Sequence, residues 1–149
     1  TLSIQLWMAL VLIGPLNHLK EKLMGYTLGL RSKQNLSGVH PDMVAVVTRA
    51  LEISEKDFSV TEGVRNIERQ RMLKKTGKST TLKSRHLTGH AVDVVPYPVS
   101  WEWDEFYPIG DAMKQAAKEL DIKIVWGGDW KKFPDGPHFQ LDWKAYPSD

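Results

Sequence analysis

Two short stretches of this 149-residue chain carry side chains whose types and spacing could do chemistry. In "SRHLTGHAVDVV", residues 84–95, His86, His90 and Asp93 crowd into eight positions between a basic turn and an apolar run. In "WGGDWKKFPDGPHFQLDW", residues 126–143, Asp135 and His138 stand in Asp-x-x-His spacing inside a Gly/Pro turn. The chain has no cysteine, so any metal must be held by nitrogen and oxygen. On a helix the His-x-x-x-His spacing of His86 and His90 would put both imidazoles on one face. That reading fails here, because Leu87 stands where the metalloprotease version has Glu and Thr88-Gly89 is poor helix sequence. A turn at Thr88-Gly89 followed by a strand places His90, Val92 and Val94 on one face and Ala91, Asp93 and Val95 on the other. His86, ahead of the turn, is then free to come back toward Asp93.

An aspartate within an apolar strand is costly unless something pairs it. A metal ion would do so, and so would backbone amides or a nearby arginine. Taken together, the two stretches offer His, Asp and His, the composition of a catalytic zinc site with three protein ligands and an open fourth position for water. Asp135, close to His138 and not needed as a ligand, is placed to accept the proton of that water.

The elements that must position these groups are legible in the periodicities. "HPDMVAVVTRALEIS", residues 40–54, spaces Met43, Val46, Val47, Ala50 and Leu51 as a helix whose first turn takes Pro41. "DFSVTEGV", residues 57–64, alternates as a strand and stops at Gly63. "NIERQRMLKKTG" predicts a helix ending at Gly77. "HAVDVVPYP" is a second strand, rich in β-branched valine and closed by prolines. A helix is expected around residues 108–120, a third strand at "IKIVWGG" and a last short one at "HFQLDW". This mixture does not repeat like βαβ units, so the expected fold is α+β, a small antiparallel sheet with helices packed against it and the zinc site in a cleft at the sheet.

Composition narrows the class. With 42% hydrophobic and 26% charged residues, the chain suits one ordinary core. A net charge of +2 is far from the concentrated basic stripe of a nucleic-acid binder, and no nucleic-acid partner is expected. The cations from Arg69 to Arg85 can form one positive lip, either a solvated face or an attraction to an acidic polymer. "LSIQLWMALVLIGPL", residues 2–16, is too short to span a bilayer as a helix and lacks the flanks of a signal peptide. Residues 1–23 are expected to be a hydrophobic extension outside the functional domain, with a weak membrane anchor or export signal as the competing reading; residues 24–149 are expected to be the functional domain, with no stable membrane partner.

"SRHLTGHAVDV" resembles the Ser-x-His-x-x-Gly-x-Ala-x-Asp motif of the zinc D-Ala-D-Ala carboxypeptidase and L-alanyl-D-glutamate endopeptidase family. By that resemblance His86 and Asp93 are zinc ligands, "DGPH" supplies the third ligand His138 and the catalytic acid–base Asp135, and His90 is a bystander. "VTEGVRNIERQ" is similar to the family's Gly-x-Arg segment, which makes Arg65 the residue that contacts the substrate carbonyl or its developing oxyanion, with Gln70 to orient it. Ser84 either binds substrate or orders the loop. The resemblance spans roughly residues 28–145, and "WGGDW" together with Asp at 135 points to the phage endolysin branch. It implies a zinc-dependent peptidoglycan hydrolase cleaving the L-alanyl-D-glutamate bond of the stem peptide at the bacterial cell wall, as a phage lysis protein or a secreted bacterial enzyme; a monomer is expected. D-alanyl-D-alanine carboxypeptidase or dipeptidase activity is the neighbouring alternative. A non-catalytic zinc-dependent binding module is another, which the intact Asp135 and Arg65 argue against.

Overall fold

The structure, a computed structural model, describes residues 25–148; the expectations for residues 1–23 lie outside the described residues. The sheet has four strands, β1 (Phe58–Glu62), β2 (Ala91–Pro96), β3 (Ile124–Trp126) and β4 (His138–Leu141), in the spatial order β1-β2-β4-β3 with every pairing antiparallel. Alternation sorts their side chains: Phe58, Val60, Val92, Val94, Phe139 and Leu141 enter the core, and the residues between them face the other way. The expected α+β architecture is the observed one.

Two long helices close the apolar face. In α2 (Pro41–Ile53), Pro41 opens the helix and the His40 ring accepts the Asp42 amide at 3.0 Å, so the start carries both a fixed φ and a cap. Its stripe of Met43, Val46, Val47, Ala50 and Leu51 packs with Ile109, Met113 and Ala116 of α4 (Trp103–Leu120) over the sheet. Helix α4 begins at Trp103, earlier than expected, and holds Pro108 inside. Pro108 is the sixth residue of the helix, past its unpaired first amides, so it forgoes the amide that would bond the Asp104 carbonyl. A short helix, α1 (Leu30–Asn35), had no periodicity to announce it: six residues, with Ser32 buried among them. Ser32 Oγ accepts the Val60 amide and Asn35 donates to the Val60 carbonyl, so α1 satisfies the outer edge of β1.

The remaining elements lie on the polar face of the sheet. Helix α3 (Ile67–Lys75) is capped by Asn66, which accepts the Arg69 amide, and buries Gln70 alone. A 3-10 turn, Arg85–Thr88, ends at Gly89 with φ +75°, in the left-handed region that glycine adopts freely. The expected turn at Thr88-Gly89 is therefore present. Arg85 is buried, donates to the carbonyls of Leu141 and Tyr146 and to Ser148 Oγ, and lies 4.0 Å over the Trp143 ring. Among the described residues no helix is long and apolar enough to cross a membrane.

Candidate metal centre and its cleft

Strand register builds the site. Glu62 of β1 pairs with Asp93 of β2, and Asp93 pairs with His138 of β4, so three ionisable side chains form one row across the polar face. His86 reaches the same row from the 3-10 turn. Its Nε2 lies 3.2 Å from Asp93 Oδ1, and His138 Nδ1 lies 3.5 Å from the same oxygen. The two rings meet edge to face, 5.1 Å between centroids.

These three groups suit a metal ion. Their ligand atoms all lie within 4.8 Å of one another. Bonds of about 2.0–2.1 Å to a tetrahedral zinc would separate neighbouring ligand atoms by roughly 3.4 Å, close to the 3.2 and 3.5 Å observed. The far side of each imidazole is already engaged: His86 Nδ1 with the Gly63 carbonyl at 2.8 Å, His138 Nε2 with Gln140 Oε1 at 2.8 Å. Each ring thus turns one nitrogen toward the shared carboxylate, the arrangement in which an outer hydrogen bond fixes the tautomer of a metal ligand. A donor set of two imidazoles and one carboxylate, without sulfur, fits zinc and other divalent first-row ions.

Burial opposes ionisation of Asp93, but the hydrogen bonds and charge of His138 and His86 more than offset it and hold the carboxyl well below its usual range. Asp135 goes the other way. Burial pushes its carboxyl up, as does the negative charge of Asp93, against the pull of His138, His86 and Arg65. A carboxylate with raised proton affinity beside a ligand set is what a proton acceptor requires. The chain brings it there through Gly127: the Asp135 amide donates to the Gly127 carbonyl at 2.8 Å, and a Cβ on Gly127 would lie 2.4 Å from the Asp135 carbonyl oxygen and 3.1 Å from His138 Cβ. Behind this loop, Trp126 Nε1 donates to the Gly136 carbonyl, and the indole stacks on Phe139 at 5.9 Å. Trp126 thus belongs to the core, whereas Trp130 is partly exposed beside His138 in the cleft.

Arg65 is nearly buried. It chelates Glu62 through Nε and NH2 at 2.9 and 2.7 Å, donates NH1 to Gln70 Oε1 at 2.8 Å and lies 3.6 Å from Asp93 Oδ2. Three of its five N–H groups are so committed, which fixes the guanidinium plane at the wall of the cleft. Gln70, fully buried, in turn donates to Ser79 Oγ and the Thr81 carbonyl, tying the loop before the 3-10 turn to the arginine. The backbone adds a clamp, with the Arg65 amide donating to the His86 carbonyl at 3.0 Å. Glu62, Arg65, His86, Asp93, Asp135 and His138 line one cleft of about 920 Å³.

The structure therefore brings together His86, Asp93, His138, Asp135 and Arg65. Ser84 also lines the cleft, where its Oγ accepts the His86 amide at 3.2 Å and so caps the 3-10 turn. His90 stays outside, its ring bonded to Thr88 and packed 5.5 Å from His40. Asp129 lies in the 3-10 turn Gly127–Asp129 and pairs with Lys114. Sequence reasoning gave no role to Glu62 or Gln140, and met Gly63 and Gly127 only within the Gly-x-Arg and WGGDW stretches. Gln140 was accessible through strand periodicity, two residues beyond His138 on the same face; the contacts of the glycines are set by chain segments distant in sequence.

Two histidines and an aspartate on the polar face of a small antiparallel sheet, beside a buried acid and a clamped arginine, form a group that could hold a metal ion, in a chain of the peptidase class. The chain belongs to the phage L-alanyl-D-glutamate peptidase family, whose model matches residues 24–142. It is 34% identical over 119 residues to the L-alanyl-D-glutamate peptidase of Escherichia phage T5, a match covering 75% of this chain and 87% of that one. It is 32% identical over 123 residues to the L-alanyl-D-glutamate peptidase of Listeria phage A118, covering 80% of this chain and 43% of the longer relative. Among solved structures it is similar to the Serratia marcescens L-Ala D-Glu endopeptidase ChiX, with a TM-score of 0.79 and 51% identity over 85% of this chain and 97% of that one.

Proposed function

We propose that this chain is a zinc-dependent endopeptidase that hydrolyses the L-alanyl-D-glutamate bond of peptidoglycan stem peptides. The observation that carries the reading is the convergence of His86 Nε2 and His138 Nδ1 on Asp93 Oδ1 at the floor of a cleft holding Asp135 and Arg65, in a member of the phage L-alanyl-D-glutamate peptidase family. His86, Asp93 and His138 are the residues that hold the cation. Bound there, zinc supplies Lewis acidity, polarising the carbonyl under attack and acidifying the attacking water.

The protein's own groups do the rest. Asp135 removes a proton from the attacking water and passes it to the amine as the C–N bond breaks, so the products are a carboxylate and an amine. Burial and the negative charge of Asp93 raise its proton affinity. Arg65, which lines the cleft, stabilises the oxygen that gains negative charge, and its ties to Glu62 and Gln70 keep it oriented without reorganisation during the reaction. Ser84 holds the turn that presents His86. Because ligands, base and arginine all come from one chain, a monomer suffices, and the catalytic unit begins near Met24, where the family match starts. The site of action is the bacterial cell wall.

The test is digestion of purified peptidoglycan followed by mass spectrometry of the fragments. New L-alanine carboxyl termini and D-glutamate amino termini are expected. Release of terminal D-alanine would transfer the activity to the carboxypeptidase class, and intact peptidoglycan would leave a binding module.

A further inference from the structure

Apart from the ligands, one side chain on the metal face has a task that the hydrolysis scheme does not use. Gln140 is buried in β4, two residues past His138 and therefore on the same face of the strand. Its Oε1 lies 2.8 Å from His138 Nε2, while His138 Nδ1 faces Asp93 Oδ1. A neutral imidazole carries one N–H, so the nitrogen that binds a cation must be the one without it. An acceptor fixed at Nε2 keeps the proton there and leaves the Nδ1 lone pair directed at the ligand set.

The two histidines solve this problem differently. His86 Nδ1 is bonded to the Gly63 carbonyl, a backbone acceptor that no side-chain substitution removes. His138 depends on a side chain. Register holds that side chain in place, since Gln140 pairs with Ala91 of β2 on one side and Val125 of β3 on the other. Trp130, 5.1 Å from the His138 ring, restricts the ring further.

We infer that Gln140 is a positioning residue of the metal centre: its amide oxygen holds the proton of His138 on Nε2 and so presents Nδ1 to the cation. This rests on the reading of His86, Asp93 and His138 as ligands. It does not depend on which bond is cleaved.

The test compares the full chain with Gln140→Met, which keeps length and volume but removes the acceptor, and Gln140→Glu, which keeps an acceptor. Zinc affinity is measured by competition with a chromophoric chelator, and the His138 imidazole N–H is followed by NMR in the zinc-loaded, ¹⁵N-labelled protein. Gln140→Met is expected to weaken zinc binding roughly 10- to 100-fold, the usual effect of losing such a partner, and to speed solvent exchange of the Nε2–H signal. Gln140→Glu is expected to bind as tightly as the natural chain or tighter and to keep that signal protected. The inference is overturned if Gln140→Met binds zinc normally with a protected Nε2–H, or if both variants weaken binding alike, as a purely structural role would require. Failure of the natural chain to bind any divalent cation would overturn the metal reading itself, a separate result.

Discussion

Asp93 of β2 and His138 of β4 stand directly opposite each other in an antiparallel pair, with Oδ1 and Nδ1 3.5 Å apart. Two of the three ligand groups are therefore positioned by the sheet ladder itself, and only His86 depends on a turn. A metal joining them would link β2, β4 and the 3-10 turn, and so would contribute to folding as well as to chemistry.

Removal of the metal should lower stability. A ligand present at 100 times its dissociation constant adds about 2.7 kcal/mol to the folded state. Thermal unfolding in excess chelator should shift downward and recover on adding zinc, with loss and return of peptidoglycan clearing in parallel. An unchanged midpoint would show that the site holds no structural cation.

Asp135→Ala should separate chemistry from binding. Zinc affinity should stay within a few-fold of the natural chain while kcat falls on the order of 10²- to 10⁴-fold. By contrast, His86→Ala and His138→Ala should lose zinc as well. Near-normal turnover by Asp135→Ala would remove it from the proton-transfer role.

Gly127→Ala tests the close approach beneath Asp135. Its Cβ would meet the Asp135 carbonyl oxygen at 2.4 Å, and the backbone must move to admit it. A loss of about 1–3 kcal/mol in chemical denaturation is expected, together with weaker zinc binding because His138 Cβ is a second contact. Gly29→Ala, with nothing within 4 Å of the added carbon and φ −73°, serves as the comparison without a clash, its expected cost being only that of alanine at the N-cap of α1.

The Glu62 cluster predicts a pH dependence. Burial alone would raise the Glu62 carboxyl, yet the hydrogen bonds from Arg65 and Arg69 lower it to about 2. A group whose folded value lies below its unfolded one stabilises the protein above the unfolded value, and that contribution fades as pH falls toward the folded value. The stability difference between the natural chain and Glu62→Gln should therefore be full above about pH 5 and vanish as pH approaches about 2. A difference independent of pH across this window would show that the pair contributes through packing alone.

Much of this site was legible in one dimension because strand alternation and turn chemistry are local. Thr88-Gly89 announced a turn, the valines around Asp93 announced a strand, and an acid in that strand called for a partner. The arginine considered as an alternative partner for Asp93 is in fact nearby, at 3.6 Å, as an addition to the two histidines. What stayed hidden depends on register. Nothing near Glu62 in sequence indicates that it pairs opposite Asp93, and Gly63 and Gly127 matter through carbonyls that reach His86 and Asp135 across the fold. Helix α1 escaped notice because its six residues owe their order to hydrogen bonds with Val60 rather than to an apolar face. Helix α4 was placed too late, since Pro108 resembles a first-turn proline and instead lies within the helix.

The fastening of Arg85 bears on how this protein can be extended. Its guanidinium holds the carbonyls of Leu141 and Tyr146 and the hydroxyl of Ser148, one residue ahead of His86. Residues 143–148 are thus part of the support beneath a ligand, not a dispensable tail. A targeting module appended at the C-terminal side should be joined beyond Ser148; cutting back to Asp142 would take the Tyr146 carbonyl, the Ser148 hydroxyl and the Trp143 ring from Arg85 and loosen the turn that carries His86.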